Sequence, residues 1–310
     1  MNFHLPMEND QIEKSNPFGN KPGMAFFHFV IRFAGRKTAY FFLFFIVFVY
    51  SILFPSIKAK TDPYLSRRFP HAGPFGRMKH RYLLILNFGR ILIDKTVIGI
   101  LGKGSMQVSF RDFNDVEKIK SIRSGFILLL SHVGCWQVVM SALDMLKKPV
   151  NLVMLRDEKD INKHFFEYRN NKNALKIINP EEFLGGTIEM LNVLNHDEIL
   201  CIMGDRVFKN KDLVLEMDFL SGKAIFPSSA FKLSSICQKP IVVLDSYKIG
   251  SAAYELKLSD IIHVPRTAGK TKDGLVPFVR EYVESLEFFT QNHPYQFFNF
   301  FDMWDDDQQS

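Results

Sequence analysis

FILLLSHVGCWQ, residues 126–137, is the stretch whose reading decides the fold. Gly125 precedes it, and the apolar run 126–131 is short and unbroken. It has neither the length of a helix nor the alternation of a half-exposed strand, so it reads as a strand buried on both faces. His132 and Gly134 then break the run, and residues 133–146 take up a helical pattern. Strand, tight turn and helix in that order make the first half of a βα unit.

The same alternation continues outward. Buried strands are expected at 150–155 (VNLVML), 175–178, 198–203 (EILCIM), 240–248 (PIVVLDSYK) and 253–258. Helices are expected at 81–101, 133–146, around 160–173, at 185–196, 227–238 and 272–292, with short strands in the loop after 203. Apolar strands alternating with helices specify an α/β domain with a mixed, largely parallel sheet flanked by helices.

In such sheets chemistry collects at the carboxyl ends of strands. His132 follows strand 126–131, and Gly134 lets the backbone turn tightly there. Gln137, beyond the turn, is placed to fold back on the imidazole Nδ1–H and leave Nε2 as a base. The competing reading is a histidine satisfied by packing and one backbone bond. Gly204-Asp205-Arg206 follows strand 198–203. Either Asp205 orients a catalytic group and Arg206 meets phosphate or a developing oxyanion, or the pair closes a loop. Arg156, after strand 150–155, carries the same two readings.

Toward the N-terminus the chain changes character. Residues 1–24 read as a flexible tail, 25–57 as a membrane anchor helix, 58–80 as a basic linker and 81–310 as the α/β domain. Residues 39–54 (AYFFLFFIVFVYSILF) carry no charge. As a helix they rise roughly 24 Å, short of the roughly 30 Å hydrocarbon core, and the stretch 26–34 adds an amphipathic approach. The rival reading is a buried core helix, but the bulky residues lie all round the helix rather than on one stripe. Basic residues are in excess on the C-terminal side, from Lys58 to Arg81, which puts the large domain on the cytoplasmic face of the inner membrane.

The 32 phenylalanines cluster at 26–54 and 288–301, which suits either lipid contact or a Phe-rich core. The net charge of +6 suits an anionic membrane surface or an acidic carrier. Nucleic acid is disfavoured, because no helix-turn-helix, zinc-finger or RNA-binding signature is present. Cys135, Cys201 and Cys237 lack metal spacing and read as reduced thiols.

Four motifs in order carry a resemblance. They are His132-Val133-Gly134-Cys135-Trp136-Gln137; Gly204-Asp205-Arg206; Phe219-Leu220-Ser221 with Pro227; and His293-Pro294-Tyr295-Gln296-Phe297-Phe298-Asn299-Phe300 with Trp304. Over most of residues 25–304 the chain resembles the bacterial lipid A biosynthesis acyltransferases of the lauroyl/myristoyl type, within the lysophospholipid acyltransferase superfamily. Two departures stand out: Gln137 occupies the position of the acidic partner of the histidine, and Pro227-Ser228-Ser229-Ala230 replaces Pro-x-Gly-Pro.

The resemblance implies transfer of a fatty acyl chain from acyl carrier protein or acyl-CoA to a hydroxyl or amine of a lipid acceptor. In that chemistry His132 is the general base, with Gln137 and Asp205 beside it. Gly134, Trp136, Arg156, Gly204 and Arg206 fall on the substrate side, and no metal or cofactor is called for. A non-catalytic lipid-binding protein on the same scaffold is the alternative that Gln137 raises.

Overall fold

The computed structural model describes residues 21–154, 176–180, 186–207 and 213–304. In chain order its main elements are α1 (Lys21–Leu53), α2 (Pro55–Arg68), α3 (Pro74–Leu101), β1 (Gln107–Phe110), α4 (Phe113–Ser121), β2 (Phe126–Leu130), α5 (Trp136–Ala142), β3 (Val150–Val153) and β4 (Lys176–Ile178). There follow α6 (Thr187–Asn195), β5 (Ile199–Met203), β6 (Val214–Phe219), β7 (Gly222–Pro227), α7 (Ser229–Cys237), β8 (Ile241–Lys248), β9 (Ala253–Ile262) and α8 (Lys272–Asn292). The helix expected around 160–173, Arg156 and residues 1–20 lie outside the described residues.

The seven-stranded sheet has the order β1-β9-β8-β2-β5-β3-β4. β8, β2, β5, β3 and β4 run parallel; β9 pairs antiparallel with β8, and β1 follows β9. The fold is therefore the α/β architecture expected. β2 sits between β5 and β8, which is why all five of its side chains are buried and apolar. α8 buries Leu275, Val279, Tyr282, Val283, Leu286 and Phe289, a helical stripe facing the core. Thr271 caps it by accepting the Gly274 N–H at 3.1 Å.

Two N-terminal expectations are corrected. The basic linker 58–80 is largely helical, as α2 and the first turns of α3. Its Pro and Gly content suggested a linker, but Ile57, Thr61, Tyr64 and Leu65 recur at helical spacing and are buried, and Pro55 starts the helix. Arg68 donates to the carbonyls of Thr290 and Gln291, answering orphan acceptors in the last turn of α8.

The second correction concerns α1, which includes residues 21–24 of the expected tail and is not one rod. Gly35 interrupts it at φ 78°, ψ 175°. The rings of Phe26 and Phe42 lie 5.6 Å apart, whereas 16 residues of continuous helix would separate them by about 24 Å. The chain doubles back at Gly35, a backbone conformation that glycine adopts without strain.

β6 and β7 form a separate hairpin in which Phe219 pairs with Gly222. Both turn residues, Leu220 (φ 49°) and Ser221 (φ 60°), are left-handed, as a two-residue hairpin turn of this hand requires. Trp304 stacks on Phe219 and its Nε1–H donates to the Phe219 carbonyl, while Glu287 accepts the Leu220 N–H. These contacts hold a turn whose residues oppose it. Ser221→Gly is therefore expected to stabilise the protein by about 1 kcal/mol by relieving one left-handed non-glycine residue. Thermal unfolding in detergent checks this, the midpoint rising in the variant.

Candidate active site

The ladder between β2 and β5 places Leu130 opposite Met203. Two residues further along each strand exit stand His132 and Asp205, so the register brings them level. The Gly204 N–H donates to the Leu130 carbonyl at 2.8 Å and carries the pairing one step beyond the strands. Asp205 Oδ2 then accepts the His132 backbone N–H at 2.8 Å, and Oδ1 lies 2.8 Å from His132 Nδ1. An ionised carboxylate only accepts, so Nδ1 carries the proton and Nε2 is the basic nitrogen. Among the described residues no hydrogen bond engages Nε2, and the His132 side chain is 22% exposed whereas that of Asp205 is 0%.

Burial pushes the Asp205 carboxyl up, but the positive charge of His132, the hydrogen bond from its ring, the charge of Arg206 and the His132 N–H together hold it below the ordinary carboxylate value. It is therefore a fixed negative charge beneath the imidazole. The Asn299 side chain donates to the Asp205 carbonyl at 3.4 Å, and Ser131 and Tyr282 share a hydrogen bond of 2.7 Å behind the pair. Gly204 has no room for a side chain, since a Cβ there would stand 2.7 Å from the Tyr282 ring.

The His132 loop is gripped from both sides. The Gly134 N–H donates to the Gln296 carbonyl at 2.8 Å, and the Phe298 N–H donates to the His132 carbonyl at 2.7 Å. The Gln296 side-chain amide in turn clasps the backbone N–H and carbonyl of Lys248. Gly134 has φ +50°, and a Cβ on it would lie 1.9 Å from the Ser246 carbonyl oxygen. Only glycine fits that turn. The Cys135 N–H donates to Ser246 Oγ at 2.9 Å.

The expected bond from Nδ1 to Gln137 is not made. Gln137 is buried in the first turn of α5, where its Oε1 lies 3.5 Å from Cys135 Sγ, and the Nδ1 position belongs to Asp205. Trp136 packs half-buried against the core. Arg206 is largely buried beside Asp205, its guanidinium 5.4 Å from the Phe301 ring centre, and its Nε has no partner among the described residues. Burial lowers its pKa, and the Asp205 charge opposes that shift. The structure thus joins His132, Gly134, Gly204, Asp205 and Arg206, and sets Gln137 apart.

Sequence reasoning missed Ser131, Ser246, Tyr282, Gln296 and Asn299 as supports. One signal was available for the pair itself: FILLL and ILCIM are equal in length, and His132 and Asp205 each follow by two residues.

An oriented imidazole at the carboxyl ends of two adjacent parallel strands defines an α/β protein equipped for proton transfer. The model of the family described as bacterial lipid A biosynthesis acyltransferase matches residues 86–305, and the chain belongs to that family. It is an acyltransferase, and its family acts on lipid substrates. No curated protein matches the chain.

A second buried carboxyl, Asp245 on β8, accepts from Ser259 Oγ at 2.6 Å. Burial pushes it up to about 6, against the Ser259 bond and the Lys257 charge and with help from the Asp205 charge. A folded value above the unfolded value near 4 means that the carboxyl favours folding only while protonated. Its cost appears as pH rises from about 4 and is complete above about 6. Asp245→Asn is therefore expected to stabilise the protein at pH 7.5 by on the order of 2–3 kcal/mol and to leave stability at pH 4 nearly unchanged. Chemical denaturation at the two pH values checks the difference.

Proposed function

We propose that the protein is a membrane-bound acyltransferase that moves a fatty acyl chain from acyl carrier protein or acyl-CoA onto a hydroxyl or amine of a lipid, with His132 as general base. The observation that carries this reading is the two-point attachment of Asp205 to His132. It fixes the ring, sets the tautomer and leaves Nε2 on a partly exposed ring with no hydrogen-bond partner among the described residues.

In this mechanism Nε2 removes the proton from the acceptor hydroxyl or amine as that atom attacks the thioester carbonyl carbon. The imidazolium formed is stabilised by the buried Asp205 carboxylate. Positive charge at Arg206 favours the tetrahedral oxyanion. When the intermediate collapses the carbon–sulfur bond breaks, and the departing thiolate takes the proton back from Nε2. Neither donor nor acceptor loses or gains electrons. The basic surface suits an acidic carrier protein as donor. The exposed aromatic residues of α1, with cations at both ends, favour placement on the cytoplasmic face of the inner membrane. Non-catalytic lipid binding was motivated by Gln137, and that motive falls away once Asp205 supplies the carboxylate.

The test is acyl transfer from labelled acyl carrier protein and labelled acyl-CoA to a membrane lipid extract. His132→Ala is expected to reduce transfer to background. Asp205→Asn, which keeps the volume but loses the charge, is expected to cost roughly 10³–10⁴-fold, by analogy with the carboxylate of a Ser-His-Asp site. Gln137→Glu is expected to destabilise the fold by burying a charge and not to raise turnover. Transfer that survives His132→Ala overturns the mechanism.

A further inference from the structure

We infer that α1 is an in-plane anchor, a two-armed hairpin that lies in one leaflet of an anionic phospholipid membrane without crossing it. The inference builds on the membrane association proposed above. It concerns a segment outside the family match, which begins at residue 86.

By length and apolar content alone, residues 25–53 qualify as a membrane span. The bend removes that length. The arms 21–34 and 36–53 rise about 21 and about 27 Å as helices, each short of the roughly 30 Å hydrocarbon core. The Phe26–Phe42 contact shows that the two lengths run back along each other and do not add.

The second arm is also fixed along α3. Near the bend, Tyr40 donates to the buried carboxylate of Asp94. Leu43 fills the space left by Gly89, where a Cβ would meet it at 2.7 Å. Further along, the Tyr82 ring lies edge-on to Phe44 and Phe48. These pairings run antiparallel, so the arm lies along α3 from Tyr40 to Phe48. Yet α3 carries Lys79, Arg81, Arg90, Asp94 and Lys95, charges that are costly inside hydrocarbon. A spanning arm would have to abandon α3, or drag those charges with it.

The faces of the arm match an interface. Ala39, Leu43 and Val47 are buried against the protein, whereas Phe41, Phe44, Phe45, Phe48, Ile52 and Leu53 face outward. An apolar face of that extent needs a cover. Its surroundings select anionic lipid. Residues 21–61 contain no Asp or Glu, and exposed Arg32 and Lys37 near the bend, with Lys58 and Lys60 beyond the far end, ring the face with positive charge. A second copy would bring the same rim to the contact, with no carboxylate in the segment to meet it.

The experiment places single reporter cysteines, Asn2→Cys or Glu284→Cys, in full-length protein carrying Cys237→Ser. Glu284 is exposed on α8, and the remaining Cys135 and Cys201 are buried. A membrane-impermeant maleimide is applied to spheroplasts and to inverted inner-membrane vesicles. Both reporters are expected to label in inverted vesicles and neither in spheroplasts. Labelling of Asn2→Cys in spheroplasts, with Glu284→Cys labelled only in inverted vesicles, means a span and overturns the inference. Purified protein is further expected to float with phosphatidylglycerol vesicles at least tenfold better than with phosphatidylcholine vesicles. Equal flotation removes the anionic preference, and detergent-free dimers that do not float make a second copy the occupant; either result overturns the proposal. His132→Ala protein, labelled in parallel, is expected to give the wild-type pattern, so a failed acyl-transfer assay leaves this result standing. Recovery of the protein in the soluble fraction sinks the membrane association of both readings.

Discussion

The buried carboxylate of Asp205 stays ionised because two donors and a cation answer it. His132 supplies both donors, from its backbone and from its ring, and Arg206 supplies the neighbouring charge. Several otherwise unrelated features serve that contact. The β2–β5 register sets the two residues level, Gly204 allows the close approach to Tyr282, and Gly134 turns the chain away under Ser246. The segment around Gln296 and Phe298 then holds the loop in place. Without this frame the imidazole would keep its rotamer freedom, and the carboxylate would be a buried charge without compensation, a state that costs several kcal/mol.

A second polar node works by the same physics at the carboxyl end of β8. Asp94 on α3 is fully buried and receives Tyr40 from α1, Tyr254 from β9 and the ammonium of Lys248 from the end of β8. Gln296 clasps the backbone of that same Lys248 and accepts the Gly134 N–H through its own carbonyl. A continuous chain of bonds therefore runs from the hairpin at the N-terminus to the loop that carries His132. The α1 hairpin and the sheet share one polar framework and are not joined by a flexible tether.

Much of this was legible in the sequence, and what was not has identifiable physical causes. FILLL and ILCIM read as buried strands, and the groups just beyond them are then expected at the sheet's carboxyl edge. Gln137 is expected on Nδ1 because it is close along the chain, whereas Asp205, expected only to orient a catalytic group, is 73 residues away, and the register that joins it to His132 shows only in the matching lengths of two distant strands. The stretch 58–80 was read as a linker because Pro and Gly outweighed the spacing of Ile57, Thr61, Tyr64 and Leu65. The bend at Gly35 escaped notice because hydropathy counts apolar residues and is blind to a single dihedral angle.

The grip of residues 296–298 on the His132 loop also bears on how the molecule is made. Translation delivers the hairpin first, then β2 with its histidine, then β5 with Asp205, and the closing segment near the end. The strands can pair before that segment arrives, but the turn around Gly134 lacks two of its backbone hydrogen bonds until it does. Chain order thus separates two events in time. The strands that carry His132 and Asp205 can meet first, and the reactive centre sets only once residues 296–298 close on the loop.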